Sequence, residues 1–294
     1  ALYALLGLPP PARVASELAP AGAGRAEEGR APPEASPLPS SPDAPPETRG
    51  ERGPPPEATS PPEPSASRAR RPRRLRLDGA DARPADDVVL CLDFGTASAK
   101  VGALRGGRAP LPLRLGDDGD FAVDASAYLD ADGGLAFGSL ARQRSLEEGR
   151  PRLDSLKRLL GRVPLDRPLD ALPLEALGVR GGGAASLGLV LRVYLAWLVH
   201  RARTALAAHH GIEGPAPLRF ALPCWPSARW LALEPAIGRL VAEAILLADT
   251  FGPELEDGVD LREARHLAQL AAETSRIPAA LVGRSIMEPV AAAA

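Results

Sequence analysis

An apolar strand that runs into a tight, glycine-containing turn constrains the fold of this chain more than any other feature. Residues 88–92 predict a buried β-strand, residues 93–96 (Asp-Phe-Gly-Thr) form the turn, and residues 100–104 predict a returning strand. Gly95 lets the backbone approach an anion closely, and the successive N–H groups of such a turn suit phosphate oxygens. Asp93 would face a hydrated magnesium ion, which usually contacts only one or two carboxylates. The alternative is a plain β-hairpin with glycine at its tight position.

The first 85 residues differ in composition from the rest. Pro, Ala, Glu, Ser, Gly and Arg dominate residues 1–85, with almost no aromatic or β-branched side chains. Such a segment cannot bury enough apolar surface to offset its chain entropy, so we expect a disordered tail before a folded unit at residues 86–294.

An arginine cluster precedes the folded unit, and its members are Arg68, Arg70, Arg71, Arg73, Arg74 and Arg76. It either attracts an anionic surface or belongs to a solvated linker, and we favour the linker. The whole chain has 35 basic and 37 acidic residues. This near-neutral balance gives no reason to predict a nucleic-acid partner.

A second region of predicted strands and turns follows the hairpin. Residues 125–129 predict a strand, residues 132–134 a turn and residues 135–138 a returning strand. Residues 156–162 (Leu-Lys-Arg-Leu-Leu-Gly-Arg) come next, and their Lys157 is one of only two lysines in an arginine-rich chain. On residue statistics alone, Lys157 would be a solvated lysine on an amphipathic helix.

Taken in order, these segments resemble the DnaK-type, seventy-kilodalton heat-shock chaperones. In that family a phosphate hairpin is followed by a strand, an acidic turn, a glycine-containing strand and an Ile-Lys-Arg-Leu-Ile-Gly-Arg-like element. The resemblance implies that Lys157 contacts the transferring phosphoryl group and the attacking water, a role that suits a compact ammonium with rotatable donors. It also implies that Gly95, Thr96 and Ala97 bind phosphate through the backbone, although Ala97 lacks a hydroxyl that the family usually has nearby.

The strand predicted at residues 218–222 ends in Pro223 and is similar to the family's Ile-Thr-Val-Pro strand. The resemblance implies that Pro223, with Arg229 as its partner, relays nucleotide state towards the peptide-binding part. The spacer between them is shorter than the family's and carries a second proline, Pro226. The alternative is that Pro223 only ends a strand.

The last segment predicts a helix at residues 261–274 with a capping start at Asp260, a strand at residues 280–282, and a new helix beginning near Pro289. Glu288 stands between the last two, in a sequence that resembles the family's Asn-Glu-Pro-Thr-Ala-Ala-Ala. The resemblance implies that Glu288 acts near the metal, through water, and near the attacking water. The alternative is an acidic residue favoured at a helix N-terminus.

The resemblance covers residues 87–294 and implies an α/β fold of the actin-like, ribonuclease-H-like class, present as the first lobe only. It implies ATP and Mg²⁺ as cofactors, and unfolded polypeptides and co-chaperones as partners of the intact protein. The family's second phosphate loop has no counterpart here, so we expect a fragment that does not bind ATP tightly alone. Two alternatives stay open: another protein of this fold, such as a sugar kinase or an actin-like filament protein, and a degenerate, non-hydrolysing regulatory or scaffold protein.

Residues 189–199 are strongly apolar, but Arg192 interrupts them and the run is shorter than the roughly 20 residues of a membrane span. Leu187, Val190 and Leu191 instead begin a helical core stripe that continues through Tyr194 and Leu198. Cys91 and Cys224, the only cysteines, predict buried free thiols in a reducing, cytoplasmic compartment. Residues 1–8 are too short for a signal peptide as they stand, and export stays open.

Overall fold

The computed structural model describes residues 73–84, 87–106, 108–179, 185–223 and 225–287. Over these ranges the chain forms a mixed α/β fold with two separate sheets. The strands are β1 (Val88–Phe94), β2 (Ser98–Arg105), β3 (Leu111–Pro112), β4 (Ala122–Asp124), β5 (Ser126–Leu129), β6 (Gly134–Phe137), β7 (Leu153–Asp154), β8 (Leu218–Leu222), β9 (Val259–Asp260) and β10 (Ile286–Met287). The helices are α1 (Gly138–Glu148), α2 (Leu156–Leu160), α3 (Leu187–His210), α4 (Ser227–Phe251), α5 (Glu254–Asp257) and α6 (Leu261–Glu273).

The larger sheet has the order β10, β8, β1, β2, β3, with β4 also paired to β2. The predicted hairpin is confirmed, because β1 and β2 pair antiparallel from Val88 opposite Arg105 to Phe94 opposite Ala99. On its other side β1 pairs parallel with β8, and β8 pairs parallel with β10. The carboxyl ends of β1, β8 and β10 therefore share one edge of the sheet.

The smaller sheet is antiparallel, with the order β7, β5, β6, β9. Its central pair, β5 and β6, confirms the strand, turn and returning strand expected at residues 125–138. The strand expected at residues 280–282 is wrong. Residues Ala279–Leu281 form a 3₁₀ helix, and Val282 makes only an isolated bridge to Leu218.

Helix α3 carries the predicted apolar stripe and is buried on every side along its first half. Its Tyr194 and Trp197 rings pack 5.7 Å apart and both contact Phe137 of β6. The neighbouring helix α4, with Pro235 inside it, was not predicted from the sequence. None of the helices in the described ranges is long and apolar enough to cross a membrane.

A buried ion network explains how α3 accommodates an arginine. Arg192 is 3% exposed; its Nε donates to Glu243 of α4 at 2.6 Å, and its two Nη atoms donate to Asp170 at 3.0 and 2.9 Å. Glu243 also accepts from Arg239, one turn away on α4. Burial disfavours the charged guanidinium, but the bonds to Asp170 and Glu243 outweigh it and raise the pKa of Arg192.

Residues 73–84, which the sequence analysis placed in the tail, pack against the folded unit. Arg73 donates to Glu254 at 2.7 Å and lies 5.3 Å from the ring centroid of Phe251. The backbone N–H of Arg76 donates to the Thr250 hydroxyl at 3.0 Å. The first contact removes Arg73 from the solvated cluster, whereas the Arg76 side chain stays 61% exposed. The predicted disorder of residues 1–72 lies outside the described residues.

Candidate functional site

The turn after β1 requires glycine. A Cβ atom at Gly95 would collide with the carbonyl oxygen of Ser98, which is backbone and cannot swing away. Thr96 and Ala97 follow in the exposed part of the turn. The turn therefore keeps a close-packed backbone with an open outer face, as an anion-binding turn needs.

Lys157 lies beside this turn in a buried position, which contradicts the alternative of a solvated helix lysine. Its side chain is 1% exposed, and its Nζ atom lies 3.6 Å from Oδ1 of Asp93. The same Nζ atom lies 4.8 Å from the centroid of the Phe94 ring. The structure thus brings together Asp93, the glycine turn and Lys157, which the sequence analysis assigned to one site from separate segments.

Two backbone hydrogen bonds connect the turn to the helix that carries Lys157. The Ala125 N–H donates to the Ala97 carbonyl at 3.0 Å, and the Ser155 N–H donates to the Ala125 carbonyl at 3.1 Å. Ser155 precedes α2 with φ of 60°, the only positive φ of a non-glycine residue in the described ranges. Such a conformation costs on the order of 1–3 kcal/mol and persists only where the surroundings fix it.

Asp93 presents an acceptor suited to a hydrated cation. Its side chain is 24% exposed, and its Oδ1 atom is buried with no hydrogen-bond partner among the described residues. Within those residues no group of three or more His, Cys, Asp or Glu side chains could hold a metal directly. A magnesium ion that keeps most of its waters needs only one or two carboxylates, so Asp93 fits the predicted role.

The two residues to which the resemblance assigns a relay, Pro223 and Arg229, lie at the same end of the fold. Pro223 directly follows β8, and its carbonyl accepts from the Trp225 N–H at 2.9 Å. Arg229, in the first turn of α4, donates to the carbonyls of Leu160 and Val163 at 3.3 and 2.8 Å. Arg229 therefore ties α4 to the end of α2, the helix of Lys157.

The remaining predicted residues have different outcomes. Glu288, expected near the metal and the attacking water, lies outside the described residues, as does Cys224. Cys91 is a buried free thiol, as predicted. Burial raises the pKa of its thiol to about 12, which makes it unreactive near neutral pH.

One contact in the site was missed by the sequence analysis. Phe94 was noted only as part of the turn sequence, yet its ring lies against the Lys157 ammonium. The local sequence signal for this contact was the aromatic Phe94 directly after the acidic Asp93. The pairing itself depends on a residue 63 positions further along the chain, which no local pattern reports.

A large cleft lies at a different place in the fold. A cavity of about 570 Å³ is bounded by residues 76–82, the carboxyl-terminal part of α3 and the end of α4. Its charged groups include the Arg203–Asp249 ion pair, in which the two atoms are 2.6 Å apart. Pro215, at the cavity wall, precedes β8, whereas the Asp93 site lies at the carboxyl end of the strands. Cavity volume therefore does not identify the candidate site, which is defined by the chemistry of its side chains.

Replacing Gly95 with Ala is expected to lower the free energy of unfolding by about 1–3 kcal/mol, because the backbone must shift to relieve the clash. Chemical denaturation measures this change. Gly238→Ala is the matched control, because its Cβ would make only an ordinary 3.8 Å contact with Phe220. That helical substitution should be neutral or stabilising by up to about 1 kcal/mol. Equal effects of the two substitutions would contradict a sterically required glycine at residue 95.

Comparison with protein-family models gives no match to this chain, and a search of curated proteins gives none either. Fold and site together define a mixed α/β protein with a glycine turn, an acidic residue and a buried lysine at one sheet edge. The more specific function proposed below therefore depends on the residues themselves.

Proposed function

We propose that this chain is the first lobe of an actin-like, ribonuclease-H-like nucleotide-binding domain in a DnaK-type chaperone. The intact protein would hydrolyse ATP with Mg²⁺ and couple hydrolysis to binding and release of unfolded polypeptides, aided by co-chaperones. The observation that carries this proposal is the buried Lys157 ammonium, 3.6 Å from Asp93 beside the Gly95 turn. Lysine is almost never fully buried unless it is paired, so the burial of Lys157 beside Asp93 favours a specific role for its ammonium.

The sheet topology supports a ligand site at this place. In open α/β sheets, ligands bind in the crevice outside the carboxyl ends of the parallel strands. β1, β8 and β10 run parallel, so the turn after β1 lies at that end of the sheet. Asp93 lies near the carboxyl end of β1, so its carboxylate is available at that crevice.

Each residue has a role that its environment allows. The backbone N–H groups of Gly95, Thr96 and Ala97 would hold phosphate oxygens, and Asp93 would hold the hydrated metal together with Glu288. Lys157 would orient the attacking water and stabilise negative charge as it develops. ATP with Mg²⁺, when bound, supplies the phosphoryl group and neutralises its charge. Arg229 would hold α2, and therefore Lys157, against the start of α4.

A second candidate is a degenerate relative that binds nucleotide or protein without hydrolysis. Two observations favour it: Ala97 offers no hydroxyl to a phosphate, and Lys157 has only 1% of its side chain exposed. A lysine that stays buried beside Asp93 could not contact a phosphoryl group. Such a protein would serve as a regulatory or scaffold module.

Removal of magnesium tests the two candidates on the full-length protein. Under the chaperone proposal, ATP hydrolysis should proceed with Mg²⁺, increase with an unfolded polypeptide substrate, and fall to background with EDTA. Release of labelled phosphate measures hydrolysis, and equilibrium dialysis with labelled ATP measures binding. Binding without hydrolysis would favour the degenerate relative, and absence of both would reject the nucleotide site.

A further inference from the structure

The ring of Phe94 provides one wall of the Lys157 site. Phe94 is 1% exposed, and its ring centroid lies 4.8 Å from Nζ of Lys157. A lysine ammonium within about 6 Å of an aromatic face is attracted by the ring quadrupole, and the attraction strengthens when both groups are removed from water. Both groups are buried here, so the contact between Phe94 and Lys157 is a desolvated, stronger cation–π interaction.

The Phe94 ring and the Asp93 carboxylate both attract the Lys157 ammonium. The Asp93 carboxylate attracts the ammonium at 3.6 Å, a distance longer than that of a hydrogen bond. A flexible lysine side chain carries much rotamer entropy, so each additional contact with the ammonium restricts it further. A ring face on a second side restricts the ammonium to a small region between β1 and α2.

The paired backbone of the sheet carries the Phe94 ring. Phe94 is the last residue of β1 and pairs with Ala99 of β2, whose side chain is small and 0% exposed. The ring thus belongs to the last residue of the strand rather than to the turn that follows. A rigid platform of this kind holds a functional group more precisely than a loop does.

We propose that Phe94 is a positioning residue for Lys157, whose ring holds the lysine ammonium against Asp93 at the phosphate-binding turn. The inference rests on the proposed function as far as catalysis is concerned. The position of the ammonium can be measured without nucleotide turnover. Failure of the contact and failure of the ATPase proposal are therefore distinguishable.

Lysine-selective nuclear magnetic resonance tests the contact in the 294-residue chain. Incorporation of ε-¹³C-lysine gives signals from two residues only, Lys157 and the exposed Lys100, which serves as an internal reference. Protons above an aromatic face resonate upfield, so the Lys157 ε-methylene should lie upfield of that of Lys100. Phe94→Leu should move it towards the Lys100 position, and Phe94→Tyr should retain the upfield shift.

Phe220→Leu is the matched control for a general loss of packing. Phe220 is also 1% exposed and lies on the neighbouring strand β8. This variant should leave the Lys157 signal in place. If Phe94→Leu fails to fold, Phe94→Tyr and the wild-type shift still test the contact.

Turnover of the full-length protein gives the second readout. Phe94→Leu should lower kcat for ATP by about threefold to thirtyfold, the range that corresponds to a cation–π contact, and change KM by less than about twofold. Phe94→Tyr should restore kcat. An unshifted Lys157 signal in the wild type, or unchanged kcat in folded Phe94→Leu, would overturn the proposal. Absence of hydrolysis alongside the expected shift would count against the ATPase and leave the positioning contact supported.

Discussion

Lys157→Ala in the full-length protein is expected to abolish most ATP turnover while sparing nucleotide binding. Removal of one preorganised donor that stabilises transition-state charge typically costs about 10²–10³-fold in kcat. The phosphate contacts proposed for the turn would come from the backbone of residues 95–97 and would not depend on this side chain. Single-turnover hydrolysis and equilibrium binding of ATP separate the two effects.

Lys100→Ala is the matched control for that experiment. Lys100 is the other lysine of these 294 residues, lies opposite Asp93 in the hairpin register and is exposed. Its loss should leave turnover nearly unchanged. Lys157→Met keeps most of the buried volume, so a defect shared by the Ala and Met variants reflects the missing ammonium. Unchanged turnover in both Lys157 variants would remove this lysine from the mechanism.

Glu243→Ala is expected to lower the free energy of unfolding by about 3 kcal/mol. The variant leaves Arg192 buried between α3 and α4 without one of its two carboxylate partners. We expect the lower end of the range for a broken buried pair, because Asp170 keeps its two bonds to Arg192. Urea denaturation followed by circular dichroism measures the loss.

Arg239→Ala is the control that removes the exposed partner of the same glutamate. The Arg239 side chain is 51% exposed, and its pair with Glu243 spans one helical turn. Such exposed pairs contribute about 0.3–0.5 kcal/mol. The double variant Arg192→Met/Glu243→Met should recover most of the loss, because apolar side chains of similar size replace a buried ion pair at little cost. A double variant as unstable as Glu243→Ala would show that the loss comes from packing instead of unpaired charge.

Elements with strong local patterns were predictable from the sequence. The β1–β2 hairpin, the β5–β6 pair and the capped start of α6 were each expected at nearly their observed bounds, and the apolar stripe of α3 was also expected. Asp260 caps α6 by accepting from the N–H groups of Arg262 and Glu263. Each of these elements is specified by alternation, helical periodicity or a capping residue within a few positions.

Elements that depend on distant partners were not predictable. Helix α4 contains Pro235, which ordinarily argues against an uninterrupted helix. Its packing against α3 offsets that disadvantage. The 3₁₀ helix at Ala279–Leu281 replaced an expected strand, and residues 73–84 are ordered by partners more than 170 positions away, such as Glu254 and Thr250. Composition assigned that segment to a disordered tail because it offers few apolar groups of its own.

The sequence by itself determined the chemistry that this protein has available: a glycine turn with an acidic residue at the end of a strand, and a lysine in an arginine-rich chain. These are local properties, since turn geometry and side-chain type follow from adjacent residues. Only the tertiary structure decided that the lysine is buried, that it meets Asp93 and Phe94, and that Arg229 holds its helix. Those contacts join residues dozens of positions apart, and they exist because the β1–β8 pairing and the packing of the helices bring the segments together.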